Sequence, residues 1–181
     1  MEWVVIGRGK YSMNDKLETR RTQLIVITAL MIALVMSVTL VTKISIPFGY
    51  FNLGDFAIIV IASLMPLRIA ILAAGVGSGL ADLFGGYPTY AIFTLFIKVL
   101  EVVIISWFPQ YMDSKKRIIP ISLAVGSMVL LYGFVDAFLY GQIEAIWGSI
   151  VGNLPQAIAS GALAFLLYPQ YIRIKKYLRG V

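Results

Sequence analysis

The chain has 181 residues, 60% of them hydrophobic and 13% charged, with a formal net charge of +6 and neither cysteine nor histidine. A soluble domain is roughly half apolar and a quarter charged, so this composition belongs in a bilayer. The missing residue types exclude disulfides, thiolate metal sites and the commonest general base, and the length leaves no room for a second, catalytic domain.

Residues 1–22 are polar, mixing Arg8, Lys10, Lys16, Arg20 and Arg21 with Glu2, Asp15 and Glu18. They lack the short apolar core and small-residue cleavage site of a removable signal, so the first apolar run is expected to stay as an anchor. That run, Thr22 to Thr42, carries no charge between Arg21 and Lys43 and is long enough to cross the hydrocarbon core as a helix. The segment from Ile46 to Asp55 combines Pro47, Gly49 and Gly54 with aromatic and polar side chains and reads as a structured loop. Apolar sequence then runs from Phe56 to Phe84, too long for one span and interrupted by Pro66 and Arg68. A short second helix turning into a third is expected there; a proline kink within one long helix is the competing reading. Gly85, Gly86 and Pro88 close that stretch, and further spans are expected over about 89–108, 118–140 and 145–168. The predicted fold is an all-α integral membrane protein, a bundle of six transmembrane helices. Its membrane domain covers 23–170, between a cytoplasmic N-terminal segment over 1–22 and a basic cytoplasmic tail over 171–181.

Charge placement tests the count, because cytoplasmic segments carry the excess of Lys and Arg. With six spans and both termini cytoplasmic, thirteen of the fifteen basic residues fall on the inner side, including Arg68, the Lys115-Lys116-Arg117 run and Arg173 to Arg179. The outer connections carry Asp55, Asp82 and Glu144 near their edges, and Lys43 at a helix end. The net positive charge is therefore explained by lipid topology, and no nucleic-acid partner is expected.

Three ionisable residues fall where hydrocarbon makes charge costly: Lys98 and Glu101 in the fourth span and Asp136 in the fifth. Such groups mark functional sites by default. Lys98 and Glu101 lie three apart and nearly share a helix face, so a structural ion pair and a direct ligand role are both open. Tyr132, Asp136 and Tyr140 recur every four residues along the fifth helix, a face suited to holding a small ring-shaped ligand, although Tyr140 also fits an interfacial aromatic belt. Asn153 and Gln156 flank Pro155 in an apolar helix, where a break is tolerated if protein or a cavity covers it. Ala29 and Ala33 form a small-xxx-small pair in the first span, and Gly75, Gly77 and Gly79 a denser strip in the third; either serves helix packing or faces another subunit. No phosphate-loop motif is present, since Gly7-Arg8-Gly9-Lys10 does not supply one, and no serine sits beside a recognisable base. No enzyme activity, metal or cofactor is expected.

Taken together, Asn52-Leu53-Gly54-Asp55, Ala81-Asp82-Leu83-Phe84-Gly85-Gly86-Tyr87-Pro88 and Thr94-Leu95-Phe96-Ile97-Lys98 resemble the substrate-binding S component of an energy-coupling factor (ECF) vitamin transporter. The resemblance extends from Gln23 to Tyr168 and is nearest to the group assigned to hydroxymethylpyrimidine, pyridoxine or related vitamins. It implies a six-helix protein of the bacterial cell membrane that binds its vitamin near the outer face and performs no chemistry. A transmembrane coupling subunit and two ATPases complete such a transporter, and Ala29 and Ala33 match the family's contact motif for the coupling subunit. Carried across residue by residue, the resemblance places the substrate site at Tyr50 and Asn52 in the loop, Tyr87, Tyr90, Thr94 and Lys98 around the start of the fourth helix, Tyr132 and Asp136 on the fifth, and Asn153 on the sixth. Other readings are a stand-alone proton-coupled secondary transporter with Glu101 and Asp136 as carriers, a structural subunit pinned by Lys98 and Glu101, or a different vitamin such as pantothenate. The small size and the absence of a visible internal repeat count against the secondary transporter.

Overall fold

The structure, a computed structural model, describes residues 13–46, 49–109 and 113–178. Glu2, Gly7, Arg8, Gly9, Lys10, Pro47 and Arg179, used above in reading the termini and the first loop, lie outside the described residues. Among the described residues, six α-helices occur in chain order: α1 (Met13–Val41), α2 (Gly54–Leu64), α3 (Leu67–Gly85), α4 (Ala91–Trp107), α5 (Ile118–Tyr140) and α6 (Ala145–Leu178). The loop after α1 is more regular than expected: β1 (Ile44–Ile46) and β2 (Gly49–Phe51) pair antiparallel, with Ser45 opposite Tyr50. A 3-10 turn over Ser114–Arg117 leads into α5, with the Asp113 side chain accepting from the Lys115 amide.

Helix limits follow backbone chemistry as well as hydropathy. α1 begins in the polar segment at Met13, because Lys16, Leu17, Glu18 and Arg20 are good helix formers and nothing breaks the run before Thr22. At the other end, the stretch read as a tail from 171 continues α6 to Leu178. Pro66 divides α2 from α3, so the long apolar stretch is two helices, not one kinked helix. Gly86 and Gly141 take left-handed conformations at φ 89° and 67° and cap α3 and α5, a geometry costly for residues with a Cβ.

Among the described residues, four helical stretches are long and apolar enough to cross a membrane: 17–41, 67–85, 114–140 and 145–175. α4, at 17 residues, reaches about 25 Å at 1.5 Å per residue. α2, at 11 residues, reaches only about 16 Å and falls well short of the roughly 30 Å hydrocarbon core. Of the six expected spans, the second is therefore a half-length helix, stopped at one end by Pro66 and at the other by the hairpin. It is also the innermost element: Ile58, Ile59, Ile61 and Ala62 are all buried, and α1, α3, α4 and α6 pack around it. A helix apolar on every side is stable only when enclosed in this way.

The two ends of the bundle differ in charge. One carries the hairpin, Tyr87 to Tyr90 and Gly141 to Glu144; the other carries Arg68, Lys115 to Arg117 and Arg173 to Lys175. Exposed Tyr140 and Trp147 mark the hairpin end, and exposed Trp107 and Tyr177 the basic end, as interfacial aromatics do at the two surfaces of a bilayer. At the basic end the Arg117 guanidinium lies 4.9 Å from the Tyr168 ring centroid, and Lys175 donates to the Ser63 carbonyl, tying α6 to the end of α2.

The glycine strip of α3 is used internally. A Cβ on Gly77 would stand 2.8 Å from the Ile32 carbonyl oxygen and 2.9 Å from Val35 Cβ on α1, and one on Gly75 would meet Val99 of α4 at 2.9 Å. Close backbone approach is what holds helices together in lipid, so α3 is gripped from both sides where it has no side chains. The α1 backbone cannot yield cheaply at Gly77. Gly77→Ala is expected to cost about 1–3 kcal/mol and lower the melting temperature of the detergent-purified protein. Gly126→Ala, at a helical site with open space around it, is expected to be neutral or slightly stabilising in the same measurement.

Candidate substrate-binding site

At the hairpin end, residues of all six helices and of β2 surround a pocket of about 540 Å3, including its open mouth. The face of α4 that carries Tyr90, Thr94 and Lys98 at four-residue steps forms one wall from mouth to floor, and Glu101 lies one further turn down, fully buried. α5 runs antiparallel beside it and matches it rung for rung. The Tyr90 hydroxyl donates to Asp136 Oδ1 at 2.6 Å, and the Thr94 and Tyr132 hydroxyls share a hydrogen bond of 2.8 Å. The Lys98 ammonium stands 5.4 Å from the Tyr132 ring centroid. Tyr140, one turn above Asp136, is 54% exposed on the rim, as an interfacial residue is.

The floor is a buried polar network. Lys98 donates to Asp55 Oδ1 and, at 2.6 Å, to Glu101 Oε1. Gln156 of α6 donates to Asp55 Oδ2 at 2.8 Å, and its own oxygen accepts from the Asn52 side chain at 2.8 Å and the Asn52 amide at 3.0 Å. Asn52 in turn accepts from the Gly54 amide at 2.7 Å, which fixes the turn from β2 into α2. Asp55 in the first turn of α2 is further favoured by the positive end of the helix dipole. The ion pair anticipated between Lys98 and Glu101 is present, and Asp55, read from the sequence as an outer-loop residue, is the lysine's second partner and is 0% exposed.

The roof comes from the hairpin and the α3–α4 turn. The Tyr50 and Tyr87 rings lie 5.0 Å apart, Tyr90 continues the series at 6.3 Å from Tyr87, and the Lys43 ammonium sits over Tyr50 and Tyr87 at 5.1 and 4.7 Å. Lys43 also donates to the Gly85 carbonyl, joining the ends of α1 and α3. Tyr50 donates to Asp82 Oδ1 at 2.5 Å. Burial, and secondarily the Asp82 charge, push the Tyr50 phenol well above its ordinary range, so it stays a neutral donor.

All nine residues singled out from the sequence, Tyr50, Asn52, Tyr87, Tyr90, Thr94, Lys98, Tyr132, Asp136 and Asn153, line this pocket. Asn153 turns its amide back on its own helix, donating to the Ser149 carbonyl at 2.9 Å. Five further lining residues escaped that reading as ligands: Thr39, Gly54, Ser78, Asp82 and Gln156, with Asp55 making a sixth. Gln156 was visible as an amide in an apolar helix, and Asp82 sits inside the motif that carried the resemblance. Thr39 and Ser78 give no signal in an apolar run. Ala29 and Ala33 lie on an exposed face of α1, away from the packing surface that Gly77 meets.

Removing the lysine charge alone leaves two buried carboxylates facing each other. Lys98→Met is expected to destabilise the protein by about 3–5 kcal/mol, read as a large fall in melting temperature in detergent. Glu101→Gln, which keeps Asp55 as a counter-ion, is expected to cost far less, and the same change added to Lys98→Met should recover part of the loss.

Residues 19–173 match the family described as ECF-type riboflavin transporter, S component. The chain is also 37% identical over 136 residues to a Pyrococcus woesei protein described as an uncharacterized protein in the gap 3' region, the match covering 71% of this chain and 90% of that one. The matched family takes its name from riboflavin, where the motifs had resembled the hydroxymethylpyrimidine and pyridoxine group. A multi-pass, substrate-binding subunit of a vitamin transporter is consistent with the helices and pocket described, and is not an enzyme class. The chain belongs to the S-component family of ECF-type riboflavin transporters.

Proposed function

We propose that the pocket at the hairpin end captures a B vitamin from outside the cell, with riboflavin as the first candidate, and that partner subunits drive its uptake with ATP. The observation that carries this reading is the pocket itself. It has aromatic surface at the mouth and roof, a few placed polar groups on the walls and a fixed ionic floor, the combination that holds a small heterocycle. Riboflavin is favoured by the family to which the chain belongs. Hydroxymethylpyrimidine or pyridoxine is the second reading, supported by the motifs around Asn52, Asp82 and Thr94. In either case the tyrosines stack on the ring, Asp136 accepts from a donor on the cargo, and Lys98, with two of its three protons committed to carboxylates, acts mainly by fixing the floor.

The exposed end of the basic distribution supports an orientation with both termini in the cytoplasm and the pocket facing outward. Docking of a transmembrane coupling subunit is assigned to the α1 face around Ala29 and Ala33, where small residues sit among exposed Ile25, Val26, Leu30 and Leu34. Two ATPase subunits would act through that coupling subunit.

Mass spectrometry of small molecules released from the purified protein, followed by titration with riboflavin, hydroxymethylpyrimidine and pyridoxine, tests capture directly. Submicromolar binding of one of them is expected; failure of all three to bind refutes this reading of the pocket. Ala33→Leu is expected to leave vitamin affinity within about twofold while reducing uptake by the assembled transporter at least about tenfold, because a bulky side chain blocks close helix approach. Unchanged uptake would move the docking surface elsewhere.

A further inference from the structure

Most polar atoms on the pocket wall satisfy one another, but two side chains keep an oxygen in reserve. Asp82 is 3% exposed; its Oδ1 accepts from Tyr50, while Oδ2 is buried without a hydrogen-bond partner. The Thr94 hydroxyl also interacts with Asp82 while sharing a hydrogen bond of 2.8 Å with Tyr132, and the carboxylate keeps acceptor capacity for a further donor. Thr39, on the α1 side of the same pocket and 4% exposed, likewise has a buried hydroxyl oxygen with no partner. A buried carboxylate oxygen without a donor is unfavourable, and an N–H or O–H arriving on a ligand relieves it.

The surrounding charge sets what kind of ligand can bring that donor. Among the described residues, the wall carries three carboxylates, Asp55, Asp82 and Asp136, against one ammonium, Lys98. Lys98 is already shared between Asp55 and Glu101. Lys43 stands at the rim, held by the Gly85 carbonyl and the faces of Tyr50 and Tyr87. Among the described residues, no arginine lines the pocket. A phosphate or carboxylate entering here meets uncompensated negative charge in a largely water-excluded site, and like charges repel strongly where they are not screened.

We infer that Asp82 and its neighbours make this an acceptor site that selects uncharged or cationic cargo, through a donor to Asp82 Oδ2, and rejects anionic forms of the same molecule. The inference rests on the vitamin-capture reading and narrows it. It disfavours pantothenate, which carries a carboxylate, and phosphorylated vitamins. A cargo phosphorylated after entry would be unable to reload the carrier, so the class of reaction that would make uptake one-way is phosphoryl transfer to a cargo hydroxyl.

The test uses the full chain in detergent with riboflavin, riboflavin 5'-phosphate, pyridoxine, pyridoxine 5'-phosphate and pantothenate as probes. The neutral vitamin that binds is expected to do so at least about 100-fold more tightly than its phosphate, and pantothenate is expected not to bind measurably. Asp82→Asn is expected to weaken the neutral vitamin by about 10- to 100-fold, as loss of a hydrogen bond to a charged acceptor does, and to narrow its margin over the phosphate. Tyr50→Phe, which keeps the carboxylate, should leave that margin at least as wide. A phosphate that binds within about threefold of its parent vitamin overturns the inference while leaving vitamin capture intact. So does an Asp82→Asn protein with wild-type affinity and margin. If Asp82→Asn does not fold, the wild-type margin still decides. No binding by any probe brings down the capture reading and this inference with it.

Discussion

The rest of the structure is arranged around one lysine. Lys98 sits in the middle of α4 at 4% exposure, with a carboxylate from α2 on one side and a carboxylate from its own helix on the other. Taking an ammonium out of water costs several kcal/mol after relaxation, and the cost is recovered only with good geometry and satisfied partners. The partner from α2 is therefore fixed in turn. Asp55 is held by Gln156, Gln156 by Asn52, and Asn52 by the Gly54 amide that starts α2. Through this chain the hairpin, α2, α4 and α6 are placed relative to one another by polar contacts whose misalignment would strand a buried charge. Apolar packing alone would let helices slide in lipid, where there is little hydrophobic drive between them.

The same contacts organise the walls before any cargo arrives. The Tyr90–Asp136 and Tyr50–Asp82 pairs bridge residues 46 and 32 positions apart in the chain, and each aims a phenol by giving its proton to a carboxylate. A site whose rotamers are already set loses less conformational entropy when it binds. The hairpin takes part in this although it is only three residues a strand, because Leu53 donates its amide to the Thr42 hydroxyl, anchoring the exit of the loop to the end of α1.

Much of this was legible in the residues. Uninterrupted apolar runs bounded by Arg21 and Lys43, or broken at Pro66, mark helices because length and breaker chemistry act locally. Lys98, Glu101 and Asp136 announce themselves because charge in hydrocarbon has few explanations. Asp55 and Asp82 were harder, since a carboxylate at the edge of an apolar run normally lies at the water interface. Only tertiary contacts place Asp55 opposite Lys98, 43 residues away, and beside Gln156, 101 residues away. α1 and α6 extend beyond the apolar runs for a different reason. Hydropathy marks where lipid stops, and a backbone with good helix formers continues past that point. The small pair on α1 and the glycine strip on α3 look alike in sequence, yet Gly77 meets a neighbouring backbone while Ala29 and Ala33 do not, a distinction set by rotation of each helix about its axis.

The shortness of α2 ties fold to function. A full-length helix at this central position would fill the bundle from one surface to the other, as α3 nearly does. Eleven residues fill about half of that depth, from Leu64 and the nearby Lys175–Ser63 contact at the basic end up to Gly54 and Asp55 at the pocket floor. The space α2 does not occupy lies above its N-terminus, and the backbone there would be left with amides pointing into hydrocarbon if nothing covered them. Asn52 and Gln156 satisfy part of that need, the hairpin closes over it with Tyr50, and Tyr87 completes the roof. The pocket is thus the missing half of a transmembrane helix. Its polar lining follows from where a helix begins inside a membrane, and the same polar lining is what a vitamin, itself too polar to rest in lipid, requires of its carrier.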